Sequence, residues 1–415
     1  MNSEKTKVLI IGAGPAGCVS AAYLHQKGND VIVIEKSKFP RFVIGESLLP
    51  ISMEHFTEVG LFDCLDKQGF EKKHGARFMR DGVVSLFDFS KKFTPGWDWT
   101  WQVPRADFDQ TLTEELINKG IDVRFEQEVT DISFNGTHSV TSIRTKTGEN
   151  YTIDAEFVID SSGYGRVLPR LLNLDKPSAL PEHSSIFTHI KDTKRPVGKE
   201  GTLITFDIVK SQVWLWVIPF SNGTTSIGFV GPTKFIESYE GTTEEKLRAL
   251  LKLSDYYYDR LKDEAFLFEP ILINNYSKSV KQLYGDGYVL TGNSSEFLDP
   301  VFSSGVAFAT ASGLLAAKLA DKQLNGTAVN WQKEYTNPIN KGVAVFTSYI
   351  KDWYNEDLQT LFFHRPENLE VKEKICAVLA GYVWDESNPF VKKHDRAISS
   401  LAHIINMEEA KKANP

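Results

Sequence analysis

The stretch "KVLIIGAGPAGCVSAAYLHQKGNDVIVIEK", residues 7–36, constrains the fold more than any other part of the chain. Val8 to Ile11 is a short apolar run, read as a buried strand. Gly12, Gly14 and Gly17 follow as G-x-G-x-x-G, and Pro15 to Lys27 reads as a helix with small residues on one side. Gly28 caps it, and Val31 to Ile34 is a second strand ending at Glu35. The order strand, glycine turn, helix, strand, acid predicts a βαβ unit that binds a dinucleotide. Gly12 permits the tight turn, Gly14 lets the backbone approach a pyrophosphate, and Gly17 permits close helix–strand packing. The helix N-terminus favours the phosphate charge. Glu35 lies 18 residues after Gly17, placed to accept from a ribose hydroxyl, which fits FAD or NAD and disfavours the 2′-phosphate of NADP.

The distal half of the chain decides between FAD and NAD. "GYVLTGNSSEFLDPVFSSGVAFATASGLLAAKLA" opens with a strand, Tyr288 to Thr291, and ends in a small-residue helix from about Gly305 to Ala320. A second glycine turn some 280 residues after the first implies a long ligand held by distant segments. "FVIDSSGYGRVLPR", residues 157–170, supplies a third strand and glycine turn at Gly163. Three such turns around one sheet resemble the FAD domain of the aromatic-hydroxylase class of flavoproteins. In that class a helix start of the form Arg–x–x–Phe–Asp carries an arginine on the flavin, which here is Arg105 of "VPRADFDQ".

At 415 residues, with 41% apolar content, the chain is long enough for two or three lobes. The predicted fold class is α/β: a discontinuous FAD-binding Rossmann-like domain (1–60, 101–175 and 282–330), interleaved with a β-sheet substrate domain (61–100 and 176–281), and a C-terminal helical region (331–415). A formal charge of −7 argues against nucleic acid as a partner. The cysteines, Cys18, Cys64 and Cys376, are far apart, and no histidines have ligand spacing, so neither disulfides nor a metal are expected. The N-terminus lacks the form of a signal peptide, and no apolar run reaches the ~18 residues of a membrane span. The expected location is the cytoplasm. The tail "MEEAKKANP" is expected to be irregular.

"VWLWVIPF", residues 213–220, poses the functional question. As a strand it sets Trp214, Trp216 and Ile218 on one face and Val213, Leu215 and Val217 on the other. Both faces are apolar, so either both are buried in core or one faces a large flat ligand. "GWDWTWQV" similarly puts Trp97, Trp99 and Trp101 on one face, as core packing or as a pocket wall.

Four segments belong together: W-x-W-x-I-P from Trp214 to Pro219; "RFVIGESLLP", residues 41–50; "KHGARF", beginning at Lys73; and "DPVFSSGV", residues 299–306. With "LAGYVWDESNPFV" (379–391) they resemble the flavin-dependent halogenases over nearly the whole chain. The match is closer to the branch acting on phenols or pyrroles, because Phe302 stands where tryptophan halogenases carry a glutamate. Prenyl reductases, geranylgeranyl reductase among them, carry a related Y-x-W-x-F-P.

The resemblance implies a cycle in which reduced FAD, supplied by a separate flavin reductase, gives a flavin hydroperoxide that oxidises chloride or bromide. Hypohalous acid then crosses a short tunnel to a lysine, which directs halogenation of an electron-rich ring, either free or tethered to an acyl or peptidyl carrier protein. It assigns Lys73 as that lysine, with Lys72 on the opposite face of the strand. The amides of Ser304 and Gly305 hold the halide at a helix N-terminus, and Trp214 and Trp216 keep the organic ring from the flavin. The FAD site takes Gly12, Gly14, Pro15, Ala16 and Gly17 in the first turn, then Glu35, Lys36, Arg41, Gly45 and Ser47. Farther along it takes Arg105, Gly163, Gly292, Asn293, Asp299, Pro300, Gly305 and Val306. Asn293 stands where the flavin-hydroxylase class usually has an aspartate beside the glycine, here Gly292, and an asparagine amide can still hydrogen-bond a hydroxyl. The rivals are a FAD-dependent monooxygenase, a geranylgeranyl-reductase-like dehydrogenase, and a non-catalytic FAD-binding partner protein.

Overall fold

The computed structural model describes residues 3–364 and 369–413. Two large sheets carry the fold. In the first, strands run in the order Tyr284–Gly285, Tyr288–Leu290, Asn150–Asp160, Ser3–Ile11, Val31–Ile34 and Asp122–Arg124. The four at its centre pair in parallel. Such strands are covered on both faces, so they read as unbroken apolar runs; Val8, Leu9 and Ile10 are wholly buried. An antiparallel ribbon, Gln127–Asn135 and His138–Thr145, extends from strand Asn150–Asp160.

Helix Pro15–Gln26 leaves the first glycine turn and packs on helix Ser304–Leu324. Small residues allow a close approach. A Cβ on Gly313 would lie 2.6 Å from the Ala16 carbonyl oxygen, and Ser20 Oγ donates to the carbonyls of both Ala16 and Gly313 at 2.9 Å. The structure ends the first helix at Gln26 rather than Lys27, and strand Tyr288–Leu290 stops one residue short of Thr291. The distal helix runs longer than its small-residue stretch, to Leu324.

The second sheet has seven strands in the order Ile271–Asn274, His183–Ile190, Thr225–Pro232, Val213–Pro219, Thr205–Lys210, Gly75–Arg80 and Val83–Asp88. Val213–Pro219 is central and buried on both faces. Val213, Leu215 and Val217 pack with Ile227, Phe229, Leu247 and Leu250 in a separate small core. Trp214, Trp216 and Ile218 join the main core. The opposing strand makes room for the indole: a Cβ on Gly228 would meet Trp216 Cζ2 at 2.4 Å and Phe187 Cβ at 2.5 Å.

Two expectations are corrected. Only Thr100–Gln102 of "GWDWTWQV" is a strand, pairing with Glu71–Lys73. Trp97, Trp99 and Trp101 stack edge to face on one another at 5.4 and 5.5 Å and pack around Phe62. Lys72 lies over the Trp99 ring, whereas Lys73 pairs with Thr100, so the three indoles sit on the face away from Lys73 and form no pocket wall. At the other end, helix Ala397–Ala413 continues through most of the tail expected to be irregular, because "MEEAKKA" is rich in helix formers. Asn414 and Pro415 lie outside the described residues. Helices Asn337–Tyr354, Asp357–His364 and Leu369–Leu379 close the molecule, with Trp353 and Phe362 packed on Phe78.

Candidate active site

A cavity of about 420 Å³ lies between the two sheets, a volume suited to a cofactor or drug-sized ligand. It is lined by Gly12, Gly14, Pro15, Ala16, Glu35, Lys36, Arg41, Gly45, Ser47 and Arg105 from the proximal half of the chain. Gly163, Gly292, Asn293, Asp299, Pro300, Ser304, Gly305 and Val306 come from the distal half, and Trp214, Trp216 and Ile218 from the second sheet. Two sequence candidates stand back from it. Gly17 packs on the strand: a Cβ there would lie 2.0 Å from the Gly12 carbonyl oxygen. Lys73 is not part of the lining and meets it through its hydrogen bond to Ser47.

The first turn is shaped by backbone constraints. Gly12 has φ +99°, and a Cβ would collide with Ser161 O at 2.5 Å. At Gly14 the space where a Cβ would go opens into the cavity; the nearest atom is Arg41 Nη2 at 3.9 Å. Glu35 is fixed by backbone amides, accepting from Ala13 N at 3.0 Å and Ser37 N at 2.8 Å, and each oxygen keeps a lone pair for a further donor. The third turn is braced by Asp160, which accepts from Ser162 N and Leu168 N; burial pushes its carboxyl up from the usual range.

Arg105 grips Asp109 through two hydrogen bonds, 2.8 and 2.9 Å, and donates to the carbonyls of Ile44 and Gly45 at 3.2 Å. It thereby anchors the 41–50 segment along one side of the cavity. Arg41 Nη1 forms an ion pair with the same Asp109 at 3.1 Å but is not aligned for a hydrogen bond there. That buried N–H, with Lys36 and a glycine turn open at Gly14, is what a pyrophosphate would need. The residues present fit FAD.

The tryptophan wall has its polar edges turned away. Trp216 Nε1 donates to Ser226 Oγ at 3.1 Å, and Trp214 Nε1 donates to Tyr354 OH at 3.2 Å. Tyr354 and Tyr276 both donate to Asp299 Oδ2, at 3.0 and 2.7 Å, while Asp299 Oδ1 caps the turn at Val301 N. Asp299 therefore links the indole wall to the loop that begins helix Ser304–Leu324. Burial raises the Asp299 carboxyl, yet it accepts hydrogen bonds from every side available to it. In that loop Ser303 has φ +57°, and a Cβ on Gly305 would meet nothing within 4 Å. Phe302, the position lacking a glutamate, packs into the core against Tyr349 and Trp353.

Lys73 is 2% exposed and donates to Ser47 Oγ at 2.8 Å and Leu48 O at 2.9 Å. Burial lowers its pKa from 10.5 to about 7. A carboxylate partner would have held it up, but its bonded partners are both neutral.

Several site residues carried no sequence assignment. Asp109 was visible four residues beyond Arg105, a helix-spaced pair. Tyr276 and Tyr354 had no local signal, since only the fold brings them to Asp299. Glu46 sits inside the quoted "GESLLP", and its partner His189 comes from the second sheet.

Among the described residues, no helix is long and apolar enough to cross a membrane, and no acidic, histidine or cysteine cluster could hold a metal. The FAD binding domain family matches residues 5–253. A solved flavoprotein/dehydrogenase from Cytophaga hutchinsonii is 51% identical, covering 98% of this chain and 100% of that one, with a TM-score of 0.96. The 1H-pyrrole-2-carbonyl-[peptidyl-carrier protein] brominase of Pseudoalteromonas luteoviolacea is 27% identical over 91% of this chain and 92% of its own. A flavin-dependent halogenase of Armillaria mellea is 30% identical over 82% and 69%. With these relatives and a cavity whose lining residues fit FAD, the chain belongs to the flavin-dependent halogenase family of FAD-binding oxidoreductases.

Proposed function

We propose that this enzyme halogenates an electron-rich aromatic ring, phenolic or pyrrolic, presented free or on a carrier protein. One observation carries the reading: a fully buried lysine amine, set behind the indole-walled cavity, whose charge burial has made costly. Bound FAD, reduced by a separate flavin reductase, would supply the two-electron oxygen chemistry that turns chloride or bromide into an electrophile. The chain's residues do the rest.

Ser304 and Gly305 offer backbone N–H groups and the positive end of a helix, with roughly half an elementary charge, to the halide. Trp214, Trp216 and Ile218 present apolar surface, which excludes water and keeps an organic ring from the flavin. A neutral Lys73 amine has two N–H bonds and one lone pair. Ser47 and Leu48 take the N–H bonds, which leaves the lone pair to accept from hypohalous acid or to capture its halogen. A charged ammonium could do neither, so the lowered pKa suits the task. The carrier-tethered pyrrole on which the Pseudoalteromonas brominase acts, by its name, supports the substrate class.

The flavoprotein/dehydrogenase at 51% identity favours a second reading, hydride or electron transfer without halide. One assay separates the two. Purified protein, photoreduced FAD, oxygen and bromide are mixed with pyrrolyl or phenolic substrates, both free and as carrier-protein thioesters. The halogenase reading predicts product with a bromine isotope doublet that disappears in Lys73→Ala. Flavin oxidation with an unhalogenated oxidised product in every lane would overturn it.

A further inference from the structure

Halogenation with reduced flavin has a proton balance that the structure must satisfy. Joining a ring carbon to a halide breaks the C–H bond, forms the C–halogen bond, and gives up one proton and two electrons. Neutral reduced flavin gives two electrons and two protons. Dioxygen takes four electrons and four protons to become two waters. The sum takes up one proton per turnover, which must enter the cavity from solvent. Hydroxylation of the same ring by reduced flavin and oxygen has no such net demand.

We propose that Glu46 and His189 are the route by which this proton reaches the cavity; the proposal rests on the halogenation reading. Glu46 lines the cavity and is 1% exposed. Its Oε1 accepts from His189 Nε2 at 2.6 Å, while Oε2 is buried with no protein partner. A buried carboxyl oxygen left bare in this way is costly unless something else occupies it. A cavity water or a reacting group would serve. His189 lies on the outward side of the pair, with 13% of its side chain exposed against none of Glu46's. Histidine exchanges protons with solvent in the physiological range, so the pair spans from solvent to cavity in two side chains.

The surroundings hold the pair in place and leave it free to transfer. Phe42, Phe220 and Phe268 pack around the imidazole with ring centroids 5.6, 5.3 and 5.0 Å away. The Glu46 carbonyl accepts from Val103 N at 2.7 Å, which fixes its backbone. Two charged groups face this region. Arg105 bonds the carbonyls just before Glu46, with its charge engaged by Asp109. Arg195 donates to the Phe220 carbonyl and pairs with Glu71. Neither bonds the Glu46 carboxylate, which stays available as an acceptor.

Two variants test the route. Glu46→Gln keeps an oxygen for His189 but carries no proton. His189→Phe keeps the aromatic packing but cannot titrate. Both should bind FAD as the parent does, read by quenching of flavin fluorescence. Both should lose about 10²-fold in halogenation turnover at pH 8, and free imidazole should restore turnover to a third variant, His189→Ala, which leaves the ring's space open, a rescue that a structural role would not allow. The second readout is independent of turnover: in the ¹⁵N-imidazole spectrum of the FAD-loaded chain, the His189 Nε2–H signal should move in Glu46→Gln, because a bond to a carboxylate is replaced by one to a neutral amide. Parent-like turnover in both variants across pH 6–9, or failure of imidazole to rescue, overturns the route. If the parent makes no halogenated product, the halogenase reading falls instead. The route is then judged on the His189 Nε2–H signal alone, and a signal unchanged by Glu46→Gln overturns it.

Discussion

Replacing Lys73 with methionine should change how stability depends on pH. The ammonium is wholly buried, and burial brings its pKa from 10.5 down to about 7. At 1.36 kcal/mol per pH unit, holding it charged in the fold costs about 5 kcal/mol relative to the unfolded chain. Between pH 7 and 10.5 the unfolded chain binds the proton and the folded chain does not, so parent stability rises with pH through that window. Integrated from pH 6 to pH 9, the gain is about 2.6 kcal/mol. Methionine fills a similar volume and cannot titrate. It also strips a donor from Ser47 Oγ and Leu48 O, a loss of about 1–3 kcal/mol that does not vary with pH. Guanidinium unfolding of both flavin-free proteins at pH 6 and pH 9 gives the difference. The parent should gain about 2.6 kcal/mol more than Lys73→Met between the two. A parent–variant difference constant to within about 0.5 kcal/mol would refute the claim that this amine is buried, unpaired with a carboxylate and easily neutralised.

Other expectations follow from the same geometry. Gly14→Val should fold normally but lose FAD binding by flavin-fluorescence titration, because its side chain points into open cavity. Gly17→Ala should instead lower the melting temperature sharply, since its methyl meets the Gly12 carbonyl at 2.0 Å. Stopped-flow mixing of the oxidised enzyme with NADPH alone should show no fast flavin reduction, because the one dinucleotide fingerprint seen in the sequence is assigned to FAD. Trp214→Phe breaks the bond to Tyr354 and thins the wall. Its coupling of flavin oxidation to halogenated product should fall several-fold, read as the ratio of product to hydrogen peroxide.

Much was legible in the linear chain because it is local. The βαβ unit, Gly12 through Glu35, is contiguous, and its glycines answer to backbone geometry that no neighbouring segment can relax. The two apolar faces of Val213–Pro219 follow from the period of a strand. What periodicity could not say was which face meets the ligand. The two sheets decided that, putting Trp214 and Trp216 toward the cavity and Val213, Leu215 and Val217 under helix Thr243–Leu251. The same limit explains the Trp97–Trp99–Trp101 stripe. Alternation put all three on one face, but the pairing of Lys72 with Trp101 and of Lys73 with Thr100 set that face away from the site.

The sequence by itself determined the cofactor class and the strand–turn–helix entry to it. Each rests on residues close in sequence or on a motif quoted whole. Only the tertiary structure decided the electrostatics. Lys73 titrates near neutrality because no carboxylate reaches it. Asp299 joins loop to wall because Tyr276 and Tyr354 converge on it from 23 and 55 residues away. Glu46 meets His189 across 143 residues of chain. Burial and charge pairing between distant segments are properties of distance in space, and no spacing along the chain encodes them.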